Sequence, residues 1–281
     1  MEDIAQSVRA LVCGTRGRGF ESHYSPGKAT RKCRLYLFFP HPPPLMSRIL
    51  AISDIHGCAK TFEALLDRVA LSTSDTLYLL GDFIDRGPDS KGVFDLIFQL
   101  TDNGYNINSL MGNHEAIMLT VLEDPYTAPK WGLAGGVPTL NSFNARSMSD
   151  IPETYLKYVA ALPDYFDTGD FIFVHAGLNF LAKDPLGANA ADDLKWIRNW
   201  YDSIRYDWLG QRIIIHGHTP VPSEETDHQL ALLERRQYIN IDNGCVFKHR
   251  AAQYGMGKLT ALDLTNRTII RQTCIDTVTV S

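Results

Sequence analysis

From Met46 onward the chain alternates two patterns: apolar runs of strand length, and segments whose apolar residues recur every three or four positions. "RILAIS" (48–53) runs into Asp54, and "TFEALLDRVA" follows at helical spacing. "TLYLLG" (76–81) runs into Asp82 ahead of "SKGVFDLIFQL", and "INSLMG" (107–112) runs into Asn113 ahead of "HEAIMLTVLE". The steps from Asp54 to Asp82 and from Asp82 to Asn113 are 28 and 31 residues, the size of one βαβ unit. Residues 124–168 are less regular, with Pro125, Pro129, Pro138, Pro152 and Pro163 punctuating short helical pieces such as "ETYLKYVAAL". Strand-like runs then return: "FIFV" into His175, "RIIIHGHT" through His216, "YINIDNG", "KLTALDL" and "RTIIRQT". Several have no room for a helix between them, so the second half is predicted to be mixed or antiparallel within an α/β sandwich.

Composition narrows this little. The 281 residues are 44% apolar and 21% charged, an ordinary globular balance, and the net charge of −5 gives no general attraction to nucleic acid or anionic membrane. No apolar stretch reaches the ~18 residues of a membrane span. Five cysteines (13, 33, 58, 245, 274) are odd in number and widely scattered, without a CxxC pair. That spacing argues against a disulfide framework or structural zinc and fits a reducing, cytoplasmic setting. Residues 1–45 differ from the rest: they lack periodicity, and three acids face seven Lys/Arg. They read as a disordered or spurious extension ahead of a single domain at 46–281.

The informative feature is where polar residues fall. In open α/β sheets, ligands sit beyond the carboxyl ends of the strands. Five apolar runs hand over there to Asp54 with His56, Asp82, Asn113, His175 and His216. Asp54 and His56 are two apart and share a face on extended chain. Two carboxylates, an amide oxygen and three imidazoles would hold two divalent ions, with Asp82 as the bridge. An O/N set without thiolate suits Mn, Fe or Zn. One Asp or His after a strand is usually a helix cap or a surface residue. Six at the same ends make a pattern.

At this point the chain resembles a known family. "SDIHG", "GDFIDRG", "GNHE", "HAGL" and "HGHTP" resemble the ordered motifs of the calcineurin-like metallophosphoesterases, and more narrowly the bacterial and phage branch of the PPP-type serine/threonine phosphatases. The resemblance covers about residues 46–265. It implies a β-sandwich of two mixed sheets flanked by helices, with a βαβαβ start. It also implies one metal held by Asp54, His56 and Asp82, and a second by Asp82, Asn113, His175 and His216, with Mn the expected ion. Arg86 and Arg198, in "WIRNW", match the phosphate-clamping arginines, and Asn113 is expected to bind the substrate phosphate with them. His114 matches the catalytic histidine, with Asp85 orienting it. Ser53 departs from the family, which has Gly before the first Asp.

Two such ions lower the pKa of a water between them, making a nucleophile available near neutrality. Arginines offer paired N–H donors to phosphate oxygens. A serine alkoxide leaves poorly, and His114 as general acid would contribute ~10²–10⁴-fold. The expected activity is hydrolysis of a phosphorylated protein or small phosphoester, with no nucleic-acid or membrane partner. The alternative is a symmetrical dinucleoside-tetraphosphate hydrolase. That branch typically carries Ala at the position of Asp85 and Asp at that of Glu115, so Asp85 favours the phosphomonoester. A catalytically dead binding module is a weaker rival, because every ligand position is filled. No C-x5-R loop follows Cys58 or Cys245, and "GMGK" (255–258) lacks P-loop spacing. His218 and Thr219 are expected to support the ligands rather than bind metal, Trp131 to pack, and His23, His41, His228 and His249 to lie on the surface.

Overall fold

The computed structural model describes residues 47–247 and 252–278. The expectations for residues 1–45 and for His249 lie outside them.

Strands β1 (Ile49–Ile52), β2 (Thr76–Leu79) and β3 (Asn106–Ser109) are parallel neighbours. β8 (Lys258–Asp263) and β9 (Thr268–Thr273) complete a five-stranded sheet in the order β3-β2-β1-β8-β9, β8 running antiparallel to β1. The second sheet has the order β4-β5-β6-β7, formed by Tyr165–Asp167, Phe171–Val174, Ile213–His216 and Tyr238–Asn240. β4 is antiparallel to β5, and β5, β6 and β7 are parallel. Both sheets are therefore mixed, as the resemblance implies.

Alternation along the strands makes the sandwich. In β1, Leu50 and Ile52 enter the core beneath the helices, while Ala51 enters the core between the sheets. β2 divides likewise, Leu77 and Leu79 from Tyr78. In β5, Phe173 points between the sheets and stacks on Tyr78 with centroids 3.7 Å apart, while Ile172 and Val174 line a third core with Trp200. A residue buried as fully as Phe173 contributes about 1.5–3 kcal/mol.

Helix α1 (Ala59–Val69) buries Phe62, Leu65, Leu66 and Val69 against the first sheet, as the three-and-four spacing predicts. α2 (Ser90–Asp102) starts where the Asp89 carboxylate accepts the Gly92 N–H at 2.8 Å, a cap worth ~1 kcal/mol. α3 (Asn113–Glu123) begins directly on Asn113. The proline-rich stretch forms short helical turns between Pro125 and Ser142. β4 lacks an apolar signal and was not legible in the pattern.

Ile52, Leu79 and Ser109 lie alongside one another across β1, β2 and β3. The residues that follow, Asp54, Asp82 and Asn113, therefore leave the sheet at one edge.

Candidate active site

The turn after β2 is the centre of the site. Asp82, Asp85 and Arg86 have φ of 51°, 71° and 69°, and His56 has φ of 46° in the neighbouring turn. A left-handed residue that is not glycine costs ~1–3 kcal/mol and persists only where surroundings over-determine it. Here Glu115 does so. Its fully buried carboxylate accepts the N–H groups of Asp82 (2.8 Å), Gly112 (3.0 Å), Phe83 (2.8 Å) and Ile84 (3.3 Å). Burial and the adjacent Asp82 charge push Glu115 up to about 8. Gly112 is required because a Cβ there would collide with the Asp82 backbone and carboxylate.

Around Asp82 the predicted residues converge. Asp82 Oδ2 lies 3.4 Å from His56 Nε2, and Oδ1 lies 3.5 Å from His175 Nε2. Asn113 Oδ1 lies 3.0 Å from His175 Nε2. Asp54, 3% exposed, accepts the His218 backbone N–H at 3.1 Å and the Ser53 hydroxyl. The departure at Ser53 thus adds a donor to the first aspartate. Burial tends to raise Asp82, but His175, His114 and His56 outweigh it and hold the carboxyl well below the usual range. Burial raises Asp54.

The histidine that stands beside Asn113 and His175 is not the expected His216. His218 Nδ1, rather than the ring of His216, stands 2.9 Å from Asn113 Oδ1 and 3.2 Å from His175 Nε2. His216 Nε2 instead meets the Tyr201 hydroxyl at 3.1 Å, and its Nδ1 lies 3.2 Å from the Gly217 carbonyl. The physical reason is the strand end. His216 is the last residue of β6, its ring packed against Trp200, while His218 sits in the turn beyond it at φ 71° and points inward. Burial depresses both rings to about 3. Two histidines two apart in "HGHT" left this choice open to the sequence.

Tautomers decide whether cations fit. His56 Nδ1 and His175 Nδ1 donate to the carbonyls of Ile84 (2.9 Å) and Leu80 (2.8 Å). In the neutral rings this turns Nε2 of each toward Asp82: His175 Nε2 faces carboxylate oxygen, a repulsive pairing unless a cation lies between, while His56 Nε2 accepts from Arg86 Nη1, a donor that a cation would displace. Burial, then Arg86, holds His56 well below its usual value, so the ring is neutral. The buried Nε2 of His218 has no hydrogen-bond partner among the described residues. Asp82, His175 and His218 offer mutually close ligand atoms, as do His56, Asp82 and His114. The donor set fits divalent ions.

His114 lies beside the cluster, its Nδ1 2.7 Å from Asp85 Oδ2. Asp85 is fully buried and accepts the Trp131 indole N–H at 3.0 Å and the Thr139 hydroxyl at 2.7 Å. Trp131 therefore does more than pack: it ties the irregular segment to the Asp85–His114 pair. Burial opposes protonation of His114, but Asp82 and Asp85 raise it above its usual value. Arg86 Nη1 contacts His56 Nε2 at 2.6 Å, and the guanidinium lies 5.4 Å from the Phe247 ring centroid. Arg198 is exposed and donates to the Thr219 hydroxyl at 2.7 Å. Asp242, 3% exposed, is a further carboxylate here, raised by burial and then by Asp54. Glu115, Thr139, Tyr201 and Asp242 were missed as site residues, because nothing in their spacing distinguishes them from core or cap positions.

Residues 47–244 match the family of calcineurin-like phosphoesterases, and the chain belongs to it. A relative from Oceanobacillus iheyensis, an asymmetrical bis(5'-nucleosyl)-tetraphosphatase PrpE, is 26% identical over 230 residues, covering 74% of this chain and 88% of the relative. A symmetrical bis(5'-nucleosyl)-tetraphosphatase from Nitrosospira multiformis is 31% identical over 133 residues, covering 46% of this chain and 43% of that one. A serine/threonine phosphatase from Saccharomyces cerevisiae shares the fold with a TM-score of 0.55 at 16% identity, covering 84% of this chain and 82% of that one. The chain is thus a metal-dependent phosphoesterase by family.

Proposed function

We propose that this chain hydrolyses dinucleoside tetraphosphates, using two divalent ions held by Asp54, His56, Asp82, Asn113, His175 and His218. The observation that carries the chemistry is the convergence of His56 Nε2 and His175 Nε2 on the two oxygens of Asp82, with His218 close beside His175. Similarity to tetraphosphatases over about three quarters of the chain supports the substrate class. The ions, when bound, supply a nucleophile from water near neutrality and offset phosphate charge.

The chain's own residues do the remaining work. Asp82 stays ionised because three histidines surround it, which suits it to bridge two cations. The Ile84 and Leu80 carbonyls take Nδ1 of His56 and His175 and so orient Nε2 of each ring toward Asp82. Arg86 and Arg198 pair with phosphate oxygens, a charge present in the ground state and redistributed in the transition state. His114, protonated and held by Asp85, gives its proton to the departing oxygen.

A second reading, hydrolysis of phosphoserine or phosphothreonine in proteins, is favoured by the His114–Asp85 contact of 2.7 Å. An alkoxide needs a proton donor more than a nucleotide phosphate does. Diadenosine tetraphosphate and a phosphoserine peptide, compared at equal concentration with Mn²⁺, separate the two. Faster release of nucleotides is expected; faster dephosphorylation of the peptide would overturn the first reading in favour of the second. A nucleoside mono- and triphosphate product pair marks asymmetrical cleavage, and two diphosphates mark symmetrical cleavage.

A further inference from the structure

The cysteines scattered along the sequence do not stay scattered in the fold. Cys58, Cys245 and Cys274 are all buried, 0%, 1% and 5% exposed, and all three are free thiols. Their sulfurs lie within 4.8 Å of one another, and Cys58 and Cys274, 216 residues apart, stand 3.9 Å apart. Cys58 caps α1, Cys245 opens a helical turn (Cys245–Phe247), and Cys274 directly follows β9. Three parts of the chain, a helix cap, a helical turn and the end of an edge strand, meet only when the domain is folded.

From this geometry we infer that Cys58, Cys245 and Cys274 form a thiolate site for one thiophilic cation of the Zn²⁺ or Cd²⁺ type, separate from the Asp82 cluster. Sulfurs bound at ~2.3 Å around a tetrahedral ion stand about 3.8 Å from one another, which the Cys58–Cys274 separation already matches. The Cys274 thiol donates toward the Asp276 carbonyl oxygen at 3.9 Å. All-thiolate sites select soft cations over the Mn²⁺ or Mg²⁺ preferred by oxygen donors. Three thiolates around a divalent ion leave one negative charge in the interior, and the amino end of the 11-residue helix α1, at Cys58, opposes it. Hydrogen bonds from Cys245, then Cys58, hold the Cys274 thiol well below its usual value, while Cys58 and Cys245 are pushed well above theirs, so a bound ion would have to displace their protons. The segment after β9 is fastened over this pocket, since the Asp276 carboxylate accepts the Thr61 N–H at 2.9 Å and the Thr61 hydroxyl.

Because the three ligands assemble only on folding, an ion bound there stabilises the folded state. The test uses the full chain, reduced and saturated with Mn²⁺ to fill the oxygen and nitrogen site, then titrated with Cd²⁺. Near-ultraviolet absorbance from thiolate-to-cadmium charge transfer is followed together with the melting temperature. The expected result is a band that saturates at one equivalent and a rise in melting temperature. Both persist in a Cys13→Ser/Cys33→Ser chain and are lost in Cys274→Ser. Cys245→Ala serves as a second variant should the first not fold. A wild-type chain with no charge-transfer band at equimolar Cd²⁺ would overturn the inference, as would a band that survives both substitutions.

Discussion

The two sheets contribute to one pocket in different ways. On the first-sheet side, Asp82, Asp85, Arg86 and His56 occupy left-handed backbone: Glu115 pins Asp82, Thr139 and Trp131 pin Asp85, and the Gly135 and Asp82 carbonyls take the Arg86 and His56 N–H groups. On the second-sheet side, His175 is anchored to a backbone carbonyl, but the buried Nε2 of His218 has no hydrogen-bond partner among the described residues, and Arg198 reaches out from an exposed loop to Thr219. One half is clamped by hydrogen bonds from the backbone to a buried carboxyl group; the other is held by aromatic packing of Trp200, Tyr201 and Trp196. The difference teaches that positions needed for chemistry are fixed in the first half, while the outer edge of the second half is free to suit a substrate.

Substitutions can break or sharpen that contrast. The largest effect is expected at His218: His218→Ala should abolish metal-dependent turnover. His216→Ala, which loses the Tyr201 and Gly217 contacts and the packing on Trp200, should stay within the ~10–100-fold range of residues that merely support ligands. Equal losses in the two variants, measured as kcat/KM, would contradict the reassignment. Next comes His114→Asn, expected to cost ~10²–10⁴-fold on a phosphoserine peptide and clearly less on diadenosine tetraphosphate. Equal costs would mean that His114 does not act as proton donor. Trp131→Phe keeps the ring but removes the indole donor from Asp85, a charge-assisted bond worth ~1.5–3 kcal/mol, so kcat should fall about tenfold or more with KM little changed. Arg198→Ala, on the exposed edge, should instead act mainly on KM.

The smallest effect lies far from the pocket and reads pH. Asp75 accepts from Arg48 at 2.6 Å and from the Ser72 N–H at 2.9 Å. Burial alone would raise its carboxyl, but Arg48 and the backbone donors hold it below the ordinary 3.8. A carboxylate with a depressed folded-state pKa stabilises above its unfolded value and loses that contribution as pH falls through the folded one. Asp75→Asn should therefore cost ~1–3 kcal/mol in urea unfolding at neutral pH, and the difference from wild type should shrink below pH ~4. A difference independent of pH would show that the charge on Asp75 is not what Arg48 reads.

The sequence was legible wherever one physical rule acted alone. Alternation located the strands from β1 to β3 and from β5 to β9, and the strand ends pointed to Asp54, Asp82, Asn113 and His175, because parallel strands in register deliver their next residues to one edge. It failed where two rules competed. In "HGHT" both histidines follow an apolar run, and only the backbone path beyond β6 decides which ring turns inward. Glu115 reads as an ordinary first-turn helix acid, yet it clamps a turn more than thirty positions back in the chain. Cys58, Cys245 and Cys274 carry no local spacing signal, since their meeting depends on how α1 and β9 pack. Trp131 sits in a stretch whose prolines hide any period, so its bond to Asp85 is a tertiary fact.

The most direct measurement is the divalent-ion content of the purified chain beside His218→Ala and His216→Ala, with Cys274→Ser in all three to remove sulfur-bound ions. Two ions per chain are predicted for the reference and for His216→Ala, and a loss of one for His218→Ala. A reference chain that holds no ions, or a loss caused by His216→Ala and not by His218→Ala, would contradict the site drawn around Asp82.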